Sequence, residues 1–212
     1  MKEEAVVKQQ AVKRNGVSQK VRAMTSIAML SAVAFVLMLL DFSVPAFIPS
    51  FVKMDFSELP ALIGSFAFGP VAGALVCLVK NLLHLFMTTT GGVGELCNFL
   101  LGVLFVVPAG ICYKIKKNRT SAIIGSLVGA VVMAVVSVPV NAYITYPIYT
   151  KFLPIEQIIA MYQAINPKVD ALMSCLIMFN MPFNFVKCLC SVIITVLIYK
   201  KLSPILKGKG QE

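Results

Sequence analysis

The chain has 212 residues, of which 58% are hydrophobic and only 13% charged, and its formal net charge is +10. A soluble domain of this size is nearer to about 45–50% apolar and about 25% charged. Composition and a mean hydropathy of +0.87 therefore exclude a soluble enzyme and a disordered tail, and point to an all-α integral membrane protein. The excess of Lys and Arg belongs with cytoplasmic loops rather than with nucleic acid, which so apolar a chain is unsuited to bind.

At roughly 20 apolar residues per span, the chain has room for at most about eight helices, and its pattern predicts six. Residues 1–22 are polar and basic. An uncleaved first helix follows over Ala23–Leu40; its one A-x-A match, Ala32-Val33-Ala34, lies inside the apolar run rather than after it, so a removable signal peptide is disfavoured. Asp41–Ser57, with Pro45 and Pro49, is a loop too polar to span and too apolar for a free linker. Helix two is short, Glu58–Phe68, and Gly69-Pro70 separates it from helix three, Val71–Thr88. A Thr/Gly turn leads to helix four, Val93–Tyr113, and the basic loop 114–119 to helix five, Ser121–Thr145. Tyr146–Pro167 is a long loop with an interfacial helix at Ile155–Ala164. Helix six covers Val169–Tyr199, and residues 204–212 form a basic tail behind a membrane domain of residues 23–203.

With six spans, fourteen of the 19 basic residues fall on the face that carries both termini, three (Lys53, Lys151, Lys168) fall opposite, and Lys80 and Lys187 lie within spans. This asymmetry places both termini in the cytoplasm. No P-loop and no HExxH motif occurs, and the six cysteines, all in apolar runs, make no CxxC. They read as small apolar side chains, and no metal site or cofactor is expected.

Polar groups inside a span are costly and need a reason. Asn180, Asn184, Lys187 and Ser191 share one face of helix six, beside Pro182, and Ser137, Asn141 and Thr145 share one face of helix five, beside Pro139. Glu95 and Asn98 lie on helix four; Lys80 and His84 lie one turn apart on helix three. Such stripes either bond one another and hold the bundle together or line a ligand pocket open toward the outer face. Ser137, Thr145 and Ser191 fit the first reading, and Asn141, Asn184 and Lys187 the second. Lys80 and Glu95 are expected to pair across helices three and four, and His84 to be an interior histidine with its hydrogen bonds met. The apolar loop residues, Phe47, Ile48 and Phe51 among them, either fold as a lid over a flat apolar ligand or lie on the membrane interface. On helix one, Ala28 and Ala32 are one turn apart and suit close approach of another helix, from outside the bundle or within it.

The run Lys53-Met54-Asp55-Phe56-Ser57-Glu58-Leu59-Pro60-Ala61-Leu62-Ile63-Gly64, followed by Phe68-Gly69-Pro70, Lys80-Asn81, Gly94-Glu95-x-x-Asn98-Phe99, Pro139-x-Asn141 and Asn184-x-x-Lys187, closely resembles the riboflavin-specific substrate-binding S components of energy-coupling-factor (ECF) transporters. The resemblance covers roughly residues 23–200. It implies a six-helix vitamin-binding subunit in a bacterial cytoplasmic membrane, not an enzyme, that works with a transmembrane coupling subunit and two ATPases. Riboflavin would be cargo, held between the first loop and helices four to six. The candidate set is Asn141, Asn180, Asn184, Lys187, Glu95, Asn98 and Lys80 with the loop residues Phe47, Ile48, Lys53, Met54 and Asp55; Ala28 and Ala32 map onto the family's docking surface for the coupling subunit. An amide offers both donor and acceptor to the pyrimidine edge of a flavin, and the absence of arginine from the spans favours an uncharged ligand over its phosphate. The competing readings are an S component for folate or pantothenate, a stand-alone ion-coupled transporter, and an intramembrane enzyme built on Glu95 and His84.

Overall fold

The computed structural model describes residues 2–88, 90–151 and 153–207. It is a bundle of helices: α1 (Lys2–Leu39), α2 (Glu58–Phe68), α3 (Pro70–His84), α4 (Val93–Ile115), α5 (Arg119–Val140), α6 (Tyr146–Tyr149), α7 (Ile155–Gln163), α8 (Leu172–Cys175) and α9 (Met181–Lys207). Among the described residues, five stretches are long and apolar enough to cross a membrane: Gln19–Leu39, Pro70–Met87, Val93–Ile115, Arg119–Tyr149 and Leu172–Tyr199. Their large side chains point outward as well as inward, with Val33, Leu75, Val128 and Ile193 all exposed. Bilayer tails are as apolar as leucine, so such a surface is at home in lipid.

Helix two has the expected bounds, but its 11 residues reach only about 17 Å at roughly 1.5 Å per residue, short of the ~30 Å hydrocarbon core. It is buried from Glu58 to Phe66. Gly69, at φ 100°, ends it, and Pro70 starts α3 in the first helical turn, where a missing N–H costs nothing. The chain reverses there, so α2 and α3 pack antiparallel, Gly73 against Ala61 and Ser65 and Gly64 against Ala72 and Val76.

Several boundaries differ from expectation. The first helix begins at Lys2, well before Ala23, because the polar leading segment continues the same helix. The first loop contains a two-stranded antiparallel ladder, β1 (Phe42–Ser43) with β2 (Lys53–Met54), pairing Phe42 with Met54 and Ser43 with Lys53. Helix five does not stop at Thr145 but runs on through a π-helical turn, Asn141–Thr145, into α6. Helix six starts at Leu172 and carries a second π turn, Leu176–Asn180, before α9. Proline has no N–H, and its ring clashes with the carbonyl four residues back; each π turn lies just before one, Pro147 or Pro182, and widens the ladder there. The helix expected within the long loop at Ile155–Ala164 is found as α7. The end of the basic tail, residues 208–212, lies outside the described residues.

A close helix contact joins α4 and α5. A Cβ on Gly129 would come 2.2 Å from the Phe105 carbonyl oxygen, and one on Gly125 would come 2.6 Å from Cys112 Cβ. Gly125-x-x-x-Gly129 is therefore a packing motif, whereas Gly69 of Gly69-x-x-x-Gly73 serves only the turn. On α1, Ser26, Leu30, Ser31 and Ala34 face the bundle, and Ala28 and Ala32 face outward, so packing of those two alanines inside the bundle is excluded. Gly129→Ala is expected to push backbone against backbone and destabilise the protein by about 1–3 kcal/mol; an unaltered thermal midpoint of the detergent-purified variant would contradict this packing.

Candidate functional site

A cavity of about 360 Å³ opens between the end of α1, the first loop, the starts of α2 and α4, the end of α3, the π turn after α5, α6 and α9. This volume is in the range of small-molecule sites. Of the residues anticipated from sequence, Asn141, Asn180, Asn184, Lys187, Glu95, Asn98, Lys53 and Asp55 all line it. Phe47, Ile48, Met54 and Lys80 do not. Phe47 and Met54 border a separate apolar groove against α9. Ile48 is fully buried with Tyr146, Tyr162 and Leu176, where it anchors the loop instead of covering a ligand. Phe51 and Val52 are the loop's apolar contribution to the cavity wall.

Beneath the cavity lies a cluster of buried charge. Lys187 Nζ is 2.9 Å from Asp55 Oδ2 and 3.3 Å from Glu58 Oε2. Lys80 Nζ is 3.0 Å from Glu58 Oε1 and also donates to the Ser57 hydroxyl. The Ser57 N–H donates to Asp55 Oδ1 at 2.8 Å. Burial would raise the Asp55 carboxyl, but Lys187, Lys80 and the Ser57 hydrogen bond hold it below the usual carboxylate range. Lys80 therefore pairs with Glu58, not with Glu95 as expected. Antiparallel packing sets Lys80 against the start of α2, and the carboxylate that reaches it is the one there.

Glu95 has another partner. Its Oε1 accepts from His84 Nδ1 at 2.8 Å, and its Oε2 accepts from the hydroxyls of Thr88 and Thr90 at 3.0 and 3.1 Å. On the opposite wall, Tyr162 of α7 donates to Asn180 Oδ1 at 2.7 Å, and its oxygen is 2.7 Å from that of Tyr146. With the Tyr162 proton on Asn180, Tyr146 is the donor between the two phenols. Burial, followed by the neighbouring Tyr146, pushes the Tyr162 phenol above its ordinary pKa, so it remains a neutral donor. Asn141 Nδ2 donates to Ser137 O at 2.8 Å, and Asn98 Oδ1 accepts from Asn81 Nδ2 at 3.4 Å. Asn184, half-buried on the cavity wall, has no hydrogen-bond partner among the described residues.

Sequence reasoning missed Asp41, Glu58, Thr90, Tyr146, Tyr149 and Phe183 as cavity residues, and it treated His84 as satisfied. Pro147 and Pro182 were the legible signs of the two π turns, and with them of the bends that present Asn141 and Asn180. Among the described residues no group of three or more His, Cys, Asp or Glu could hold a metal ion.

A half-polar cavity enclosed by apolar membrane-length helices defines a membrane protein with a site for a small molecule. Residues 22–199 match the family described as ECF transporter, substrate-specific component, and the chain belongs to it. It is 37% identical over 189 residues to the riboflavin transporter RibU of Staphylococcus aureus (strain TCH60), covering 89% of this chain and 94% of that one. It is 32% identical over 190 residues to the riboflavin transporter FmnP of Bacillus subtilis (strain 168), covering 87% and 94%. A solved structure described as the S component of a bacterial ECF transporter superposes with a TM-score of 0.70 at 35% identity, over 90% of this chain and all of that one. The relatives are named as transporters, which agrees with a non-enzymatic role.

Replacing Lys80 by Met would leave Glu58 with Lys187 alone in a dry interior. Breaking a buried pair at one partner typically costs about 3–5 kcal/mol. Lys80→Met should therefore lower the thermal midpoint of the purified protein steeply, although Lys80 is not on the cavity wall; a wild-type midpoint would refute the buried pair.

Proposed function

We propose that this chain is the riboflavin-binding S component of a bacterial ECF transporter, and that it delivers riboflavin across the membrane together with a transmembrane coupling subunit and two ATPases. The unpartnered Asn184 amide on the cavity wall carries the reading: one donor and one acceptor, side by side, match the alternating carbonyl and N–H edge of a flavin. Asn141, Asn180 and Asn98 supply further amides, and Phe51, Val52 and Phe183 supply apolar surface for the ring. Lys187 borders the cavity while it is held by Asp55 and Glu58, so its ammonium is presented to the ligand already paired. The names of the relatives from S. aureus and B. subtilis support riboflavin as the cargo. Folate or pantothenate, being acidic, would need a cationic clamp, and both lysines near this cavity floor are already paired with carboxylates.

The chain crosses the bilayer six times in this reading. The buried helix α2 is the short leg, and the loop before it dips into the bundle to meet it. Both termini are cytoplasmic, as the lysine and arginine asymmetry supports; residues 1–22 and 204–212 are the cytoplasmic basic ends of a membrane domain spanning residues 23–203. The outward faces of Ala28 and Ala32 dock the coupling subunit.

One riboflavin should bind per chain. The protein lacks tryptophan, so flavin fluorescence is read free of indole overlap, and titration at micromolar protein should quench it to a 1:1 end point; no quenching would dismiss the reading. Asn184→Ala should weaken binding by about 1–3 kcal/mol with the thermal midpoint of the empty protein kept, because no protein group loses a partner. Ala28→Leu or Ala32→Leu should leave binding by the isolated subunit intact and abolish assembly with the coupling subunit and cellular uptake. Uptake at the wild-type rate would remove this face from the docking surface.

A further inference from the structure

The walls of the cavity differ in chemistry. Amides dominate the α5–α6 and α9 walls, while the α3–α4 wall carries His84, Thr90 and Glu95 beside Asn98. Glu95 itself spends most of its acceptor capacity on protein groups. It is 4% exposed, one oxygen is held by His84, and the other is held by both threonine hydroxyls. Those hydroxyls are fixed in turn. Thr88 Oγ1 accepts from the N–H groups of Thr90 and Gly92 at 3.2 and 3.1 Å, and Thr90 Oγ1 accepts from the Gly94 N–H at 3.1 Å, so their own protons point at the carboxylate. Gly91 and Gly92, at φ 62° and 88°, let the turn curl back far enough to aim these N–H groups.

An ionised carboxylate only accepts hydrogen bonds, so the His84 proton resides on Nδ1. In the Nδ1–H tautomer Nε2 is an acceptor. No described protein group reaches it, and the side chain borders the cavity with 17% of its surface exposed. An acceptor without a donor asks for a ligand N–H or O–H. The flavin ring offers a single donor, the N–H of the pyrimidine edge already matched to the amides, whereas each hydroxyl of the polyol chain offers one.

We propose that His84 is the residue that reads the polyol chain of the ligand: a ribityl hydroxyl donates to His84 Nε2, and Glu95 is a positioning residue that fixes the tautomer. The proposal rests on riboflavin as the cargo. Glu95 moves from the ligand-contact set to the layer behind it, and His84 takes its place.

The test compares two probes on detergent-purified protein by fluorescence titration: riboflavin, and lumiflavin, which has the same ring with a methyl group in place of the polyol. His84→Ala should raise the riboflavin Kd about 5- to 20-fold, as expected for a lost hydrogen bond at a half-dry site, and leave the lumiflavin Kd within about twofold of wild type. His84→Leu, which keeps the bulk of the side chain, should do the same. Glu95→Ala should also weaken riboflavin selectively, because it frees the tautomer. Retained lumiflavin binding certifies the fold of each variant. Equal losses for both probes in both His84 variants, or no loss of riboflavin affinity, would overturn the assignment. A wild-type protein that binds neither flavin would overturn the cargo as well, which separates that failure from one seen in the variants alone.

Discussion

The buried cluster of Lys187, Asp55, Glu58 and Lys80 is the constraint on which the rest depends. Two ammonium groups and two carboxylates cancel in charge, and every member is at most 5% exposed. No member is tolerable alone in a low-dielectric interior. The cluster ties the end of the first loop to α2, α3 and α9, elements separated by as much as 132 residues in sequence. It explains why a polar loop can enter an apolar bundle and why α2 can begin so deep, with Ser57 and Glu58 essentially inaccessible. It also sets the depth of the cavity, whose floor includes three of the four charges.

Above that floor, the cavity wall consists of side chains whose hydrogen bonds are partly committed to neighbours. Tyr162 reaches from α7 to hold Asn180, and Tyr146 backs it in turn. Ser137 O holds Asn141. Each such bond fixes the orientation of an amide on the cavity wall, which favours a rigid molecule with matched polar edges. The π turns contribute to this wall. Asn141 and Asn180 lie within these turns, ahead of Pro147 and Pro182, and both line the cavity. The helix count and the loops depend on other forces: close glycine contacts between α4 and α5, and an apolar exterior matched to lipid.

Much of this was determined by the sequence alone. Composition established the bilayer as the solvent, since no soluble core needs so many apolar residues. The apolar runs located every spanning helix to within a few residues at most ends, the Gly69-Pro70 break separated α2 from α3, and the amides and Lys187 were singled out because a polar group in a span must have a partner. Tertiary structure alone decided who those partners are. Lys80 and Glu95 look like a pair along the chain, yet each is bonded elsewhere, because helix rotation and the antiparallel return of α2 choose the partner. Hydropathy could not separate the inward from the outward face of a helix whose lipid side is as apolar as its core, so the burial of Ile48, the exposure of Phe47 and the outward face of Ala28 became legible only in three dimensions. The role of Tyr162 was hidden for the same reason: a tyrosine on a short helix acquires meaning only when α7 folds over the end of α9 and delivers its hydroxyl to Asn180.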